Sequence, residues 1–169
     1  MSIADPSLVL LVGPSGGGKS TFARRSFPAG TVLSSDELRG ILSGDPNDQG
    51  ASAEAFQVLA MLINGRLRRG LLTVVDATNL RPESRRRWRS MARRYGLPAV
   101  AICFDLSLED YVAFNRARPE RQVEEEVVMA QAERMRRAMA DTADEGFDGL
   151  WVLRSPAEVA AAEVELERY

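Results

Sequence analysis

Residues 8 to 22, LVLLVGPSGGGKSTF, run an unbroken apolar segment into a glycine-rich turn and on into Lys19, Ser20 and Thr21. Few local patterns restrict a fold as strongly. A short, wholly apolar run suits a strand buried on both faces, the kind found in parallel sheets. The spacing from Gly13 through Gly18 to Lys19 and Ser20 is G-x-x-x-x-G-K-[ST], the P-loop pattern, set between a strand candidate and a helix candidate as that pattern requires.

The chemistry follows from the residue types. Around Gly13, Ser15, Gly16, Gly17 and Gly18 the backbone can curl with its N–H groups pointing inward, a path that larger side chains would obstruct. The helix N-terminus behind the loop adds unpaired donors and partial positive charge. Lys19 can reach the β- and γ-phosphates of a nucleoside triphosphate, with ATP the expected donor, and Ser20 can place its hydroxyl on Mg²⁺. The competing reading is a glycine-rich turn that happens to hold a lysine. Against it, the chain has 22 Lys plus Arg, yet Lys19 is the single lysine. A compact ammonium fits a phosphate cradle where a planar guanidinium does not.

Composition narrows the function classes. At 169 residues the chain is expected to form one domain with a proper core. Hydrophobic content is 45%, and no apolar run reaches membrane-spanning length. The N-terminus, MSIADPS, lacks a charged-then-apolar leader, so the expectation is a cytoplasmic chain with no membrane partner. Cys103 is the single cysteine and lies in an apolar run, which reads as core. There is no histidine, which removes histidine bases, Ser–His pairs and His-ligated metals together. A net charge of −2 predicts no globally basic nucleic-acid binder, so any such binding needs a local patch.

Apolar and amphipathic runs alternate. Strands are expected near residues 8–12, 31–33, 72–75, 99–104 and 150–153. Helices are expected near 19–25, 36–41, 51–69, 82–94, 108–115, 123–140 and 156–167, the last an acidic, alanine-rich surface helix. This order predicts an α/β fold of three layers, a central, mainly parallel sheet of about four or five strands flanked by helices. Ligands in such sheets bind beyond the carboxyl ends of the strands.

Several polar residues fall at those ends. In VLSSDELRG, Ser34 and Glu37 have capping-box spacing, with Asp36 in the first turn and Arg39 on the same helical face. Asp36 either favours the helix dipole or orients an attacking hydroxyl, for which a low intrinsic pKa is no obstacle. In LLTVVDATN, Asp76 ends a strand where P-loop proteins support Mg²⁺, or it is an ordinary strand-terminal aspartate; Thr78 and Asn79 follow at the rim, within reach of an acceptor. Arg116, Arg118 and Arg121 flank Pro119, either closing over a triphosphate as a lid at about 116–122 or pairing with Glu124, Glu125 and Glu126. The basic run from Arg81 to Arg94 reads as a solvent face with Trp88 and Met91 packed inward.

Taken in order, GPSGGGKSTFARRSF, VLSSDELRG, NDQG, LTVVDATN, RARPERQVEEEV and EGFDGLWVLRSPAEV resemble the 5′-kinase domain of bacterial polynucleotide kinase-phosphatases, end-healing enzymes of RNA repair. The likeness runs through nearly the whole chain and extends more distantly to phage polynucleotide kinase. The resemblance implies a kinase that moves the γ-phosphate of ATP to a 5′-hydroxyl end of RNA or DNA, with Mg²⁺. It implies that Lys19 and Ser20 engage the β/γ-phosphates and metal, and Thr21 the neighbouring phosphates. Asp36 becomes the general base, Arg39 the holder of the acceptor strand's phosphate, and Gln49 a residue at the acceptor mouth. Arg118 and Arg121 become lid arginines, and Arg116 matches a basic position there. Relatives of this type carry phosphatase and adenylyltransferase (ligase) domains after the kinase, so residues 1–169 are expected to be one P-loop kinase domain, free-standing or excised. A homodimer is compatible with this. Two rivals stand beside it, a P-loop kinase for a small metabolite and a nucleotide-binding switch without transfer activity.

Overall fold

A computed structural model describes residues 1–117 and 123–168. In chain order the elements are β1 (Ser2–Asp5), β2 (Leu8–Val12), α1 (Lys19–Ser26), β3 (Val32–Ser34), α2 (Ser35–Ser43), a 3₁₀ turn (Gln49–Ala51), α3 (Ser52–Leu67) and β4 (Thr73–Asp76). There follow α4 (Pro82–Arg94), β5 (Ala99–Phe104), α5 (Leu108–Arg116), α6 (Glu125–Thr142), β6 (Gly149–Leu153), α7 (Pro156–Ala161) and β7 (Glu165–Arg168).

The apolar runs build one parallel sheet in the order β3-β4-β2-β5-β6. Successive residues of β2 point to opposite faces, and each face is covered. Leu8, Leu10 and Val12 join Ala55, Leu59 and Ile63 of α3 and Trp88 of α4. Val9 and Leu11 join Phe22 of α1 and Tyr111 of α5. The three layers expected from the alternating pattern are therefore present. α6 serves both faces: Val128 packs in one core and Met135 with Ala138 in the other.

Register aligns the carboxyl ends. Leu11 pairs with Asp76, and Asp76 pairs in turn with Ser34. The turn after β2, the end of β4 and the start of α2 therefore share one edge. With parallel strands about 4.8 Å apart, the chains leaving β2 and β3 stand about 10 Å apart across β4.

The C-terminal expectation needs correcting. The helix begun at Pro156 stops at Ala161, and residues 165–168 form β7, parallel to β1. The reason is periodicity: Val164 and Leu166 alternate with glutamates and pack against the core beside Ile3, a two-residue repeat that a helix cannot use. The Met1 ammonium donates to Glu163 O at 2.8 Å and closes the pair. No described helix is long and apolar enough to cross a membrane.

The basic face of α4 also departs from its expected role at one residue. Trp88 is buried as expected, but Arg85 is wholly buried too. Its Nη1 donates to Asn79 O at 3.0 Å and Leu80 O at 2.9 Å, and its Nε and Nη2 engage the Glu145 carboxylate after α6. Arg85 thus ties the turn after β4 to the turn before β6. Arg85→Met would leave Glu145 and two carbonyls without their donor. The expected result is a loss of about 3 kcal/mol of stability in urea unfolding. Adding Glu145→Gln should recover part of it.

Burial pushes the Cys103 thiol up to about 12, with the nearby Arg85 guanidinium opposing that rise. Because thiolate is the reactive form, Cys103 should resist alkylation at pH 8 in the folded chain and react fully in denaturant, read by mass labelling.

Candidate active site

The turn after β2 is shaped from three sides. Gly13 N–H donates to Thr78 O at 2.9 Å, tying the loop to the turn after β4. A Cβ at Gly13 would stand 3.0 Å from Phe104 Cβ of β5, so any side chain here would crowd that strand. Tyr111 supports the loop: its ring passes so close that a Cβ at Gly17 would lie 3.2 Å from Cε1. The Tyr111 hydroxyl donates to Phe104 O and accepts from Leu106 N–H at 3.0 Å. Burial pushes that phenol up, so it stays protonated and keeps its donor.

Gly18 ends the loop in a left-handed conformation with φ at +84° and is the N-cap of α1. It provides no side-chain cap, and the first turn of α1 holds no acidic residue. The first N–H groups of the helix therefore have no carboxylate or hydroxyl supplied by the chain at the cap, the arrangement that suits an anion. Lys19 is buried, and its Nζ donates to Pro14 O at 2.5 Å, back across the loop. Ser20 is half-buried and Thr21 exposed. Ser15 N–H donates to Gln131 Oε1 of α6 at 2.6 Å, and Gly16 faces the backbone of Asn115 at the end of α5.

At the next rim position, Asp76 is 5% exposed. Among the described residues no three His, Cys, Asp or Glu side chains gather as a metal cage. Mg²⁺ takes one or two protein oxygens and fills its octahedron with phosphate and water, and the Ser20 hydroxyl after the loop and the Asp76 carboxylate at the end of β4 are oxygen donors of that kind. Ser20 and Asp76 are the residues that would serve.

α2 opens differently. Ser34 Oγ accepts from Glu37 N–H at 3.4 Å, so this helix start is capped by its own chain. Only half of the expected capping box forms, because the Glu37 carboxylate pairs with Arg24 of α1 at 3.0 Å. Asp36 is paired with Arg39 across one helical turn, with 38% of its side chain exposed. Arg39 Nε also donates to Pro46 O at 2.9 Å and so holds the loop that leads to Gln49. Gln49 is exposed and opens the 3₁₀ turn; its side chain lies 3.3 Å from Ser52 Oγ.

Asn79 takes a different place from the one expected. It is 3% exposed and adopts a left-handed φ of +49°. Its Nδ2 donates to Leu11 O at 2.8 Å, and its Oδ1 accepts from Trp88 Nε1 at 3.1 Å. Both ends of the amide are engaged inside the protein, so Asn79 braces the rim and does not present itself to an acceptor.

Arg116 is exposed and its Nε donates to Glu125 Oε1 at 2.9 Å, so for this residue the pairing with the following glutamates is realised. Arg118 and Arg121 lie outside the described residues. The ends of that connector are fastened together: Asn115 Nδ2 donates to Val123 O at 2.7 Å, and Val123 N–H donates back to Asn115 Oδ1 at 3.0 Å. Sequence reading missed Asn115, Tyr111, Arg85 and Gln131. For Gln131 a signal existed, since it interrupts the apolar stripe of Val128, Met135 and Ala138 on α6.

The edge therefore gathers a glycine-rich loop with the buried Lys19, the buried carboxylate of Asp76, and a second carboxylate held by an arginine. A protein-family profile described as an AAA domain (AAA_33) matches residues 8–141. No curated protein matches the chain. Among solved structures, one chain of "the Pnkp1/Rnl/Hen1 RNA repair complex" is 20% identical with a TM-score of 0.71, over 82% of this chain and 47% of that one. A chain of a second Pnkp1/Rnl/Hen1 complex is 26% identical with a TM-score of 0.56, over 69% and 40%. This chain thus spans less than half the length of either. A gluconokinase from Sinorhizobium meliloti 1021 is 18% identical with a TM-score of 0.58, over 94% of this chain and 87% of that one. With the profile covering most of its length and P-loop kinases among its structural neighbours, the chain belongs to the AAA_33 family of P-loop domains and has the fold of the P-loop kinases.

Proposed function

We propose that this chain is an ATP-dependent polynucleotide 5′-hydroxyl kinase. The observation that carries the reading is Asp36: a carboxylate at the open edge, two residues beyond the Ser34 that strand register sets beside Asp76, and paired with Arg39. The likeness to chains of two RNA repair complexes supports it. On this reading residues 1–169 form one kinase domain, alone or joined to phosphatase and ligase domains.

The mechanism follows from the residues. The cradle's N–H groups and Lys19 hold the β- and γ-phosphates. Asp36 accepts a hydrogen bond from the acceptor's 5′-hydroxyl and points its oxygen at the γ-phosphorus. As the new P–O bond forms, the bond to the β–γ bridging oxygen breaks and ADP leaves. The hydroxyl proton passes to Asp36. Mg²⁺, held by Ser20 and Asp76, would neutralise charge on the phosphate oxygens. Arg39 meets the first phosphodiester of the acceptor strand, beside the exposed Gln49. Holding the reactants in line and neutralising charge supply most of the acceleration.

A second reading has its own support. The gluconokinase matches this chain nearly end to end. A small-metabolite kinase would keep Lys19, Ser20 and Asp36 around a closed acceptor pocket. Labelled ATP offered to a 5′-hydroxyl oligonucleotide and to a metabolite panel including gluconate separates the two. We expect label on the oligonucleotide; label on a metabolite alone would overturn the proposal.

Asp36→Ala should abolish transfer while nucleotide binding persists, measured by titration with ADP. Unchanged nucleotide turnover in that variant would instead favour a switch without transfer activity. Lys19→Ala should slow transfer roughly a thousandfold, measured as single-turnover kinetics.

A further inference from the structure

Gln131 takes no part in the transfer step proposed for the site, yet it touches the glycine-rich loop. It sits half-buried on α6 between the buried Val128 and Met135, three residues after the one and four before the other. Val128 belongs to one core and Met135 to the other, so α6 passes over the carboxyl edge between them, and Gln131 lies at that crossing. There its Oε1 accepts from Ser15 N–H at 2.6 Å. Ser15 belongs to the glycine-rich loop read as the phosphate site, so one amide of that loop is taken by Gln131 and others remain for the nucleotide. A half-buried amide in an apolar stripe has to recover the hydrogen bonds it loses from water. Oε1 does so on the loop. Among the described residues, Nε2 forms no hydrogen bond.

We propose that Gln131 is a donor-contacting residue, anchored by Oε1 on Ser15 N–H and giving Nε2 to the terminal phosphoryl group of the nucleotide. The inference rests on the reading of the loop as a triphosphate site and adds a ligand to it. A primary amide can do both at once, since its acceptor and its two donors are separate atoms. The contact also links α6 to the donor. α6 follows the arginine-bearing connector, whose ends Asn115 and Val123 fasten together. A nucleotide with a γ-phosphate would therefore hold α6 against the cradle more firmly than one without.

Titration calorimetry with the β,γ-imido analogue of ATP and with ADP tests this without any acceptor. Gln131→Leu keeps the volume and removes both polar atoms. Its affinity for the imido analogue should fall about tenfold, as expected for a lost hydrogen bond to a charged group, with ADP within about twofold of wild type. Gln131→Glu keeps an acceptor for Ser15 N–H but sets a charge beside the phosphoryl group. Its affinity for the analogue should fall further, again with ADP nearly unchanged. Retained ADP binding shows that each variant is folded. Equal losses for both nucleotides would make Gln131 a prop between α6 and the loop and overturn the proposal. Unchanged or tighter analogue binding by Gln131→Leu would overturn it as well, marking the amide as a plug that the nucleotide displaces. Wild-type protein that binds neither nucleotide would overturn the donor-site reading itself, and this inference with it.

Discussion

Two helices begin at the same edge of the sheet, and the difference between their first turns organises the site. α1 starts at Gly18 with no side-chain cap and no acidic residue. α2 starts at Ser34, which caps it, and carries Asp36 and Glu37 in its first turn. A helix start left without a cap has N–H groups and partial positive charge to offer an anion. A capped one has one of those donors bound by its own chain and can still carry carboxylates. An acidic residue at the start of α1 would repel the phosphates that the loop is shaped to hold. On the proposed function, the division between donor and acceptor sides is written into two helix caps about two strand spacings apart.

That edge is stiff because it is built from buried, fully bonded groups. β2 is completely buried along its length and has no side chain to contribute to chemistry. What it supplies is a fixed direction for the loop that leaves it. The turn after β4 is pinned by Asn79 to Leu11, by Thr78 to Gly13, and by Arg85 to Glu145 across the fold. Tyr111 supports the loop from α5. Catalysis by positioning needs such rigidity, since a misplaced group costs far more than a weakened one.

The parts of this arrangement that were legible in the sequence are those with a local signature. The five strands of the main sheet read as apolar runs, and Gly13 to Ser20 read as a cradle, because loop geometry and residue type are coupled over a few positions. Asp36 and Arg39 read as residues of one helical face because helical spacing puts them there, and the structure pairs them. The parts that escaped are held by partners distant in the chain. β1 and β7 pair across nearly the whole sequence, and each is too short to declare itself. Arg85 looks like its exposed neighbours until Glu145 is placed beside it. Asn79 looked available to a substrate because its partners, Leu11 and Trp88, come from two other elements. Gln131 broke an apolar stripe, a visible oddity, but its partner Ser15 lies 116 positions away.

Transfer as proposed needs one meeting point, a 5′ oxygen between Asp36 and the γ-phosphorus. A crystal structure with the β,γ-imido analogue of ATP and a short 5′-hydroxyl strand tests it most directly. The account predicts that the strand's terminal oxygen is hydrogen-bonded to Asp36 and lies about 3 to 3.5 Å from the γ-phosphorus, in line with the β–γ bridge. A strand held elsewhere, or an Asp36 carboxylate turned from the cradle with both substrates in place, would contradict it.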